Sequence, residues 1–123
     1  AIATRYQELL APIPGLVVPQ ATVGGHSVWN QYTVRVLQAD PAAATPERDR
    51  LRSQLQANGI TAMVYYPLCL HLQPAYQHLG YQAGQLPNAE QASQEVLSLP
   101  MFPELTTAQQ QQVVYALKDC VCS

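Results

Sequence analysis

Cys69 and His71 stand two residues apart, just beyond a stretch, Gly59 to Tyr66, that alternates like a strand. A thiol and an imidazole at that spacing could serve as nucleophile and base, or as two ligands of a metal. Residues two apart on extended chain point the same way, but no third group is identifiable to orient the imidazole, which counts against a nucleophilic pair. Cys120-x-Cys122 would complete four zinc ligands of acceptable type. The one-residue spacing is unusual for structural zinc, and Cys120 falls on the apolar side of a helix, where a free thiol packs as a core residue. The residues assign no catalytic group and no metal ligand.

Phosphate chemistry has no loop to sit on. Gly24-Gly25 lacks the following glycines and the Lys-Ser/Thr of a phosphate-binding turn. The single lysine, Lys118, falls near the C-terminus of the last helix, where the helix dipole favours a cation. A Schiff-base lysine needs a desolvated pocket instead.

What remains is a set of ring and amide groups near two strand ends: His26, Trp29, Asn30 and Tyr32, and then Tyr65, Tyr66 and His71. Such groups suit stacking and hydrogen bonding of a polar, planar ligand. The competing reading is structural. Trp29, Tyr32 and Tyr66 serve equally well as core or interface packing, and His26 and His71 as surface or internally bonded histidines.

Composition narrows the function classes. The chain has 123 residues, enough for one domain with one core. Its hydrophobic share of 48% is ordinary, whereas its charged share of 11% falls well below the usual value of about 25%. A domain resting on a neighbour needs fewer charges over the covered face, and seven tyrosines fit that picture. With a net charge of −2 and no basic run, nucleic acid is not an expected partner. No apolar run approaches the ~20 residues of a membrane span. Three cysteines do not read as a disulfide framework, and the start lacks signal-peptide character, so the expectation is a cytoplasmic protein.

The elements that must position these groups follow from periodicity. Ala1 to Ala11 reads as a helix with Ile2, Tyr6 and Leu9 or Leu10 inward and Arg5 and Glu8 toward water. Pro12 ends it. Opening in a helix without a cap suggests a chain that begins mid-protein. An extended link around Leu16-Val17-Val18 leads to Gly24-Gly25. Residues 28–37 read as a strand whose polar first half projects beyond the sheet. Asp40 to Ala44 is a loop, and Thr45 caps a helix with Pro46 at its first position. Leu51 and Leu55 are its buried pair and Gly59 closes it. A second strand covers 60–66, with Ile60, Ala62, Val64 and Tyr66 on one face, and is stopped by Pro67. A short helix starts at Pro74. Pro87 to Glu95 is helical with Ala89, Ala92 and Val96 as its apolar stripe. A short edge strand follows at 97–101. Thr106 to Gln109 fits a capping box for a last helix that buries Val113, Leu117 and Cys120 or Val121 and turns Gln110 to Gln112 outward.

Several segments, taken in order, resemble the DegT/DnrJ/EryC1/StrS aminotransferases. His26-Ser-Val-Trp-Asn-Gln-Tyr-x-Val-Arg35 is similar to that family's His-x-Trp-(Asn/His)-x-Tyr-x-(Val/Ile)-Arg segment, allowing for spacing. Arg48-Asp49-x-Leu51-x-x-x-Leu55-x-x-x-Gly59-Ile60 matches the helix after it. Tyr65-Tyr-Pro and Leu70-His-Leu-Gln-Pro-Ala-Tyr76 resemble the loop that follows. Leu86-Pro-x-Ala-Glu90 and Leu97-Ser-Leu-Pro-Met-Phe-Pro-Glu-Leu-Thr106 match the closing signature. Leu68 stands where many relatives carry lysine, Cys69 where many carry proline, and Tyr65 in place of a frequent histidine. The first two substitutions weaken the case for phosphate binding by that loop.

The resemblance implies an α+β fold: the small C-terminal domain of a fold-type I aminotransferase, with about three mostly antiparallel strands and helices mainly on one face. Residues 1–123 would form that domain, with 1–25 as the helix and extended linker leading in. It implies a parent enzyme that uses pyridoxal 5'-phosphate to aminate keto-sugars carried on nucleotides, usually with glutamate as amino donor. It implies a large domain carrying the cofactor lysine, and a homodimer. His26, Asn30 and Tyr32 would approach the cofactor. Trp29, Tyr65, Tyr66 and His71 would line the nucleotide-sugar side. The alternative is a stand-alone ligand-binding, regulatory or dimerisation module without catalysis.

Overall fold

The computed structural model describes residues 1–40 and 42–122, with side chains through Val121. The described residues form four α-helices: α1 (Ile2–Leu10), α2 (Glu47–Ala57), α3 (Pro87–Glu95) and α4 (Thr107–Cys122). Three strands, β1 (Leu16–Val17), β2 (Tyr32–Val36) and β3 (Val96–Leu99), form one antiparallel sheet in the order β1-β2-β3. The fold is therefore α+β with a three-stranded sheet, as the resemblance implies.

β2 sits in the middle. Leu16 pairs with Val36 on one side, and Tyr32 pairs with Leu99 on the other. Alternation puts Tyr32, Val34 and Val36 on one face, where they join Leu97, Leu99, Leu51, Leu55, Val113 and Leu117 in the core. The opposite face is polar. Thr33 Oγ1 lies 2.8 Å from Ser98 Oγ, and Arg35 pairs with Glu95 at 2.6 Å.

Leu51 and Leu55 are both fully buried, so the four-residue spacing in α2 marks the stripe correctly. Gly59 adopts φ +74°, the left-handed conformation its place after that helix requires. In α4, Thr106 and Gln109 bond reciprocally: the Thr106 N–H reaches Gln109 Oε1 at 3.0 Å, and the Gln109 N–H reaches Thr106 Oγ1 at 3.2 Å.

Five expectations are corrected. Residues 60–66 do not form a strand; they meet the sheet at one antiparallel bridge, Met63 with Ser98. In that register Thr61 faces Pro100, which has no N–H to extend the ladder. The strand expected at 28–37 is shorter, because Trp29 takes φ +49° and breaks the extended run before Tyr32. The link at Leu16-Val17 is itself a strand. Thr45 does not cap α2; the first N–H, of Glu47, donates instead to Gln38 Oε1 at 2.8 Å. Gln110 faces inward rather than outward. Its side-chain amide donates to the Ile2 carbonyl at 2.7 Å and accepts from Arg5 at 2.9 Å, fastening α1 to α4. The loop expected at Asp40 to Ala44 includes Pro41, which lies outside the described residues.

Candidate functional site

Three concavities adjoin through shared lining residues. The first is a groove of about 670 Å³ between the 65–81 segment and α3. Ala89, Ala92 and Val96, the apolar stripe of α3, line it. Ala92 and Val96 are half-buried and Ala89 is exposed, while the segment across the groove, Leu68 to Leu79, folds as two 3-10 turns, Leu70–Leu72 and Pro74–Leu79, and leaves Leu70 and Leu79 exposed. The second, about 530 Å³, is lined by Val28, Trp29, Asn30, Met101 and the first residues of the chain. A third of about 180 Å³ lies between them and is lined by Asn30, Gln31, Thr61, Met63 and Tyr65. Asn30 borders both the second and the third, and Tyr65 both the third and the first. The two sets of residues from distant parts of the sequence thus meet along one strip.

Trp29 is half-buried, with its ring 5.4 Å from that of Tyr32. Its left-handed backbone turns the chain, so that the next residue, Asn30, faces solvent rather than sheet. Tyr32, expected at the cofactor, sits in the core instead. Its ring is fully buried 5.0 Å from that of Tyr6, and its hydroxyl donates to Gln7 Oε1 at 3.2 Å. Burial pushes its phenol up to about 12. Tyr32 therefore supports Trp29 rather than reaching a ligand. His26 is exposed and lines none of the three concavities.

Tyr65 and Tyr66 are exposed, edge to face at 5.9 Å, and both border the groove. The peptide joining them is cis. His71 is buried in the groove wall, edge-on to Tyr81 at 6.1 Å, with Nε2 3.0 Å from Glu90 Oε1. Tyr81 was not singled out from the sequence, and Glu90 stood there only within Leu86-Pro-x-Ala-Glu90, with no role assigned to it. The structural signal for Glu90 is a carboxylate in the first turn of α3, behind a Gly84-containing loop.

The groove wall contains no lysine or arginine; it is largely apolar, with tyrosine rings and one imidazole. Lys118 is exposed on α4 and lines none of the three concavities. The residues present do not by themselves make a site for pyridoxal phosphate, because no amine is placed to hold it. Among the described residues no group of three or more histidine, cysteine and acidic side chains could hold a metal. Cys120 is buried and Cys69 half-buried, while the side chain of Cys122 lies outside the described residues. No described helix is long and apolar enough to cross a membrane.

Comparison with known proteins agrees with the order of the sequence segments. The chain is 49% identical over 119 residues to a "Pleiotropic regulatory protein" of Geobacillus stearothermophilus, a match covering 95% of this chain and 30% of that protein. It is 38% identical to the dTDP-3-amino-3,4,6-trideoxy-alpha-D-glucose transaminase of Streptomyces venezuelae, covering 97% of this chain and 29% of the enzyme. Among solved structures, it superposes on S. venezuelae DesV in complex with a ketimine intermediate, with TM-score 0.86 and 36% identity over 98% of this chain and 30% of that one. The chain thus spans about 30% of the length of the relatives it matches. Residues 1–118 match the family model, and the chain belongs to the DegT/DnrJ/EryC1/StrS aminotransferase family.

Proposed function

We propose that this chain is the C-terminal domain of a pyridoxal-phosphate-dependent aminotransferase acting on nucleotide-linked keto-sugars, and that it supplies one wall of the sugar-nucleotide cleft. Support comes chiefly from the continuous strip running from Trp29 and Asn30 through Tyr65 to Tyr66 and His71. Its openness fits a two-sided cleft. Tyr66, Leu70 and Leu79 are 72%, 66% and 57% exposed, a large apolar area for a free surface. The large domain of the same protein, and a second copy in a homodimer, would cover it.

In this reading the cofactor, held by a lysine of the large domain, supplies the amino-transfer chemistry, with glutamate as the donor. This chain binds and orients. Asn30 faces the cofactor side, with Tyr32 in the core behind it and His26 on the extended approach. Trp29, Tyr65, Tyr66 and His71 receive the sugar nucleotide by stacking and hydrogen bonding. The compartment would be the cytoplasm.

His71→Ala in a full-length family enzyme carrying this segment is expected to raise KM for the sugar nucleotide more than it lowers kcat, since binding rather than chemistry is lost. An unchanged KM removes His71 from the pocket. A regulatory module is the second reading, favoured by the name of the relative that is 49% identical. Saturable sugar-nucleotide binding by the 123-residue chain alone would support that module. Absence of binding fits a dependent wall.

A further inference from the structure

Glu90 is the most heavily bonded carboxylate of the site. The Gly84 N–H donates to its two oxygens at 2.9 and 2.8 Å, the Leu86 N–H reaches Oε1 at 3.2 Å, and His71 Nε2 lies 3.0 Å from Oε1. The Gly84 N–H, and after it the imidazole and the Leu86 N–H, hold the Glu90 carboxyl below the usual carboxylate range. An ionised carboxylate has only acceptors. The proton between the two side chains therefore belongs to Nε2. In the neutral ring that leaves the lone pair on Nδ1, the one nitrogen available to a ligand in the groove. The groove offers no lysine or arginine beside it.

We propose that Glu90 is the positioning residue of this site: it locks His71 as the Nε2–H tautomer and ties down the 84–86 loop, so that the groove presents Nδ1 as an acceptor for an uncharged hydrogen-bond donor of the ligand. The part of the ligand taken here is neutral, a hydroxyl or ring N–H, and its phosphates lie elsewhere, because the groove wall carries no cation to meet them. The ligand's identity as a sugar nucleotide rests on the function proposed above; the tautomer does not.

Nitrogen-15 NMR of the histidine rings tests the tautomer without any ligand. The expected result is a proton fixed on His71 Nε2. In Glu90→Gln the amide can satisfy either the imidazole or the backbone donors but not all of them. The single tautomer is then lost, and exchange at the Gly84 and Leu86 amides speeds up about tenfold, the worth of one modest hydrogen bond. His71→Gln should keep those two amides protected, because Glu90 alone holds them. A proton on Nδ1 in the unmutated protein, an unaltered tautomer in Glu90→Gln, or lost protection in His71→Gln would each overturn the assignment.

In a full-length enzyme, Glu90→Gln should raise KM for the sugar nucleotide about tenfold with kcat nearly unchanged, and Glu90→Asp should recover part of the loss. A lost tautomer with unchanged KM overturns the ligand's place in the groove while the tautomer assignment stands.

Discussion

The guanidinium of Arg48 lies 3.1 Å from the backbone oxygen of Val96, 48 residues away in sequence. The same nitrogen reaches the Ser93 carbonyl at 3.0 Å, and Nε meets Asp49 at 2.6 Å. Arg48 is buried, and it satisfies carbonyls at the end of α3 that the helix itself leaves open. It thereby fixes the angle at which α3 passes into β3, and with it the α3 side of the groove.

Arg48→Met keeps the apolar stem and removes every donor. It should destabilise the protein by about 2–4 kcal/mol, because buried carbonyls and Asp49 lose a charged partner. Urea unfolding measures this. A loss below about 1 kcal/mol would mean that water replaces the guanidinium without penalty.

Leu51→Ala should cost about 2–5 kcal/mol through the cavity left between α2, the sheet and α4. Leu51 is fully buried, so little of that loss can be recovered by solvent contact. Thermal or urea denaturation of the variant checks the value.

Alkaline pH should weaken the fold through Tyr6 and Tyr32. Burial raises both phenols, Tyr32 to about 12. Between about 10, where an unfolded tyrosine ionises, and the folded value, the native state holds more protons than the unfolded state. Stability is therefore full below pH ~10 and falls as pH rises through that window. Tyr32→Phe should flatten this decline in a denaturation series run from pH 8 to 12.

Acid should act through Glu47 and Glu90 with the opposite sign. Arg50 holds Glu47 below its ordinary value, and the Gly84 N–H does so for Glu90. Lowered carboxylates contribute stability above the unfolded pKa and lose it as pH falls through the folded one. Glu47→Gln and Glu90→Gln should each make the acid limb of the stability profile shallower, as urea midpoints taken between pH 6 and 2 would show.

Local chemistry was readable at several single positions, though not at Thr45, which does not cap α2. Pro12 ends α1, Gly59 closes α2, Thr106 and Gln109 start α4, and Leu51 with Leu55 marks a buried stripe. Each depends on neighbours within about a turn of chain, and such neighbours are visible in the sequence. Gln110 misled because its polarity points outward, while its partners, Ile2 and Arg5, lie more than a hundred residues away. The α3 stripe was read correctly, since Ala89, Ala92 and Val96 share one side of the helix, but periodicity cannot tell a core from an open groove.

By itself the sequence determined the helices, the central strand, the scarcity of charge and the family, because these follow from spacing along the chain and from motifs in a fixed order. The tertiary structure decided which of the seven site candidates share a surface: it joined Trp29 and Asn30 to Tyr65, Tyr66 and His71, drew Tyr32 into the core, left His26 apart and brought in Glu90. The physical reason is that a pocket is made by sheet register and by backbone turns such as the one at Trp29, and those depend on contacts between residues far apart in the chain.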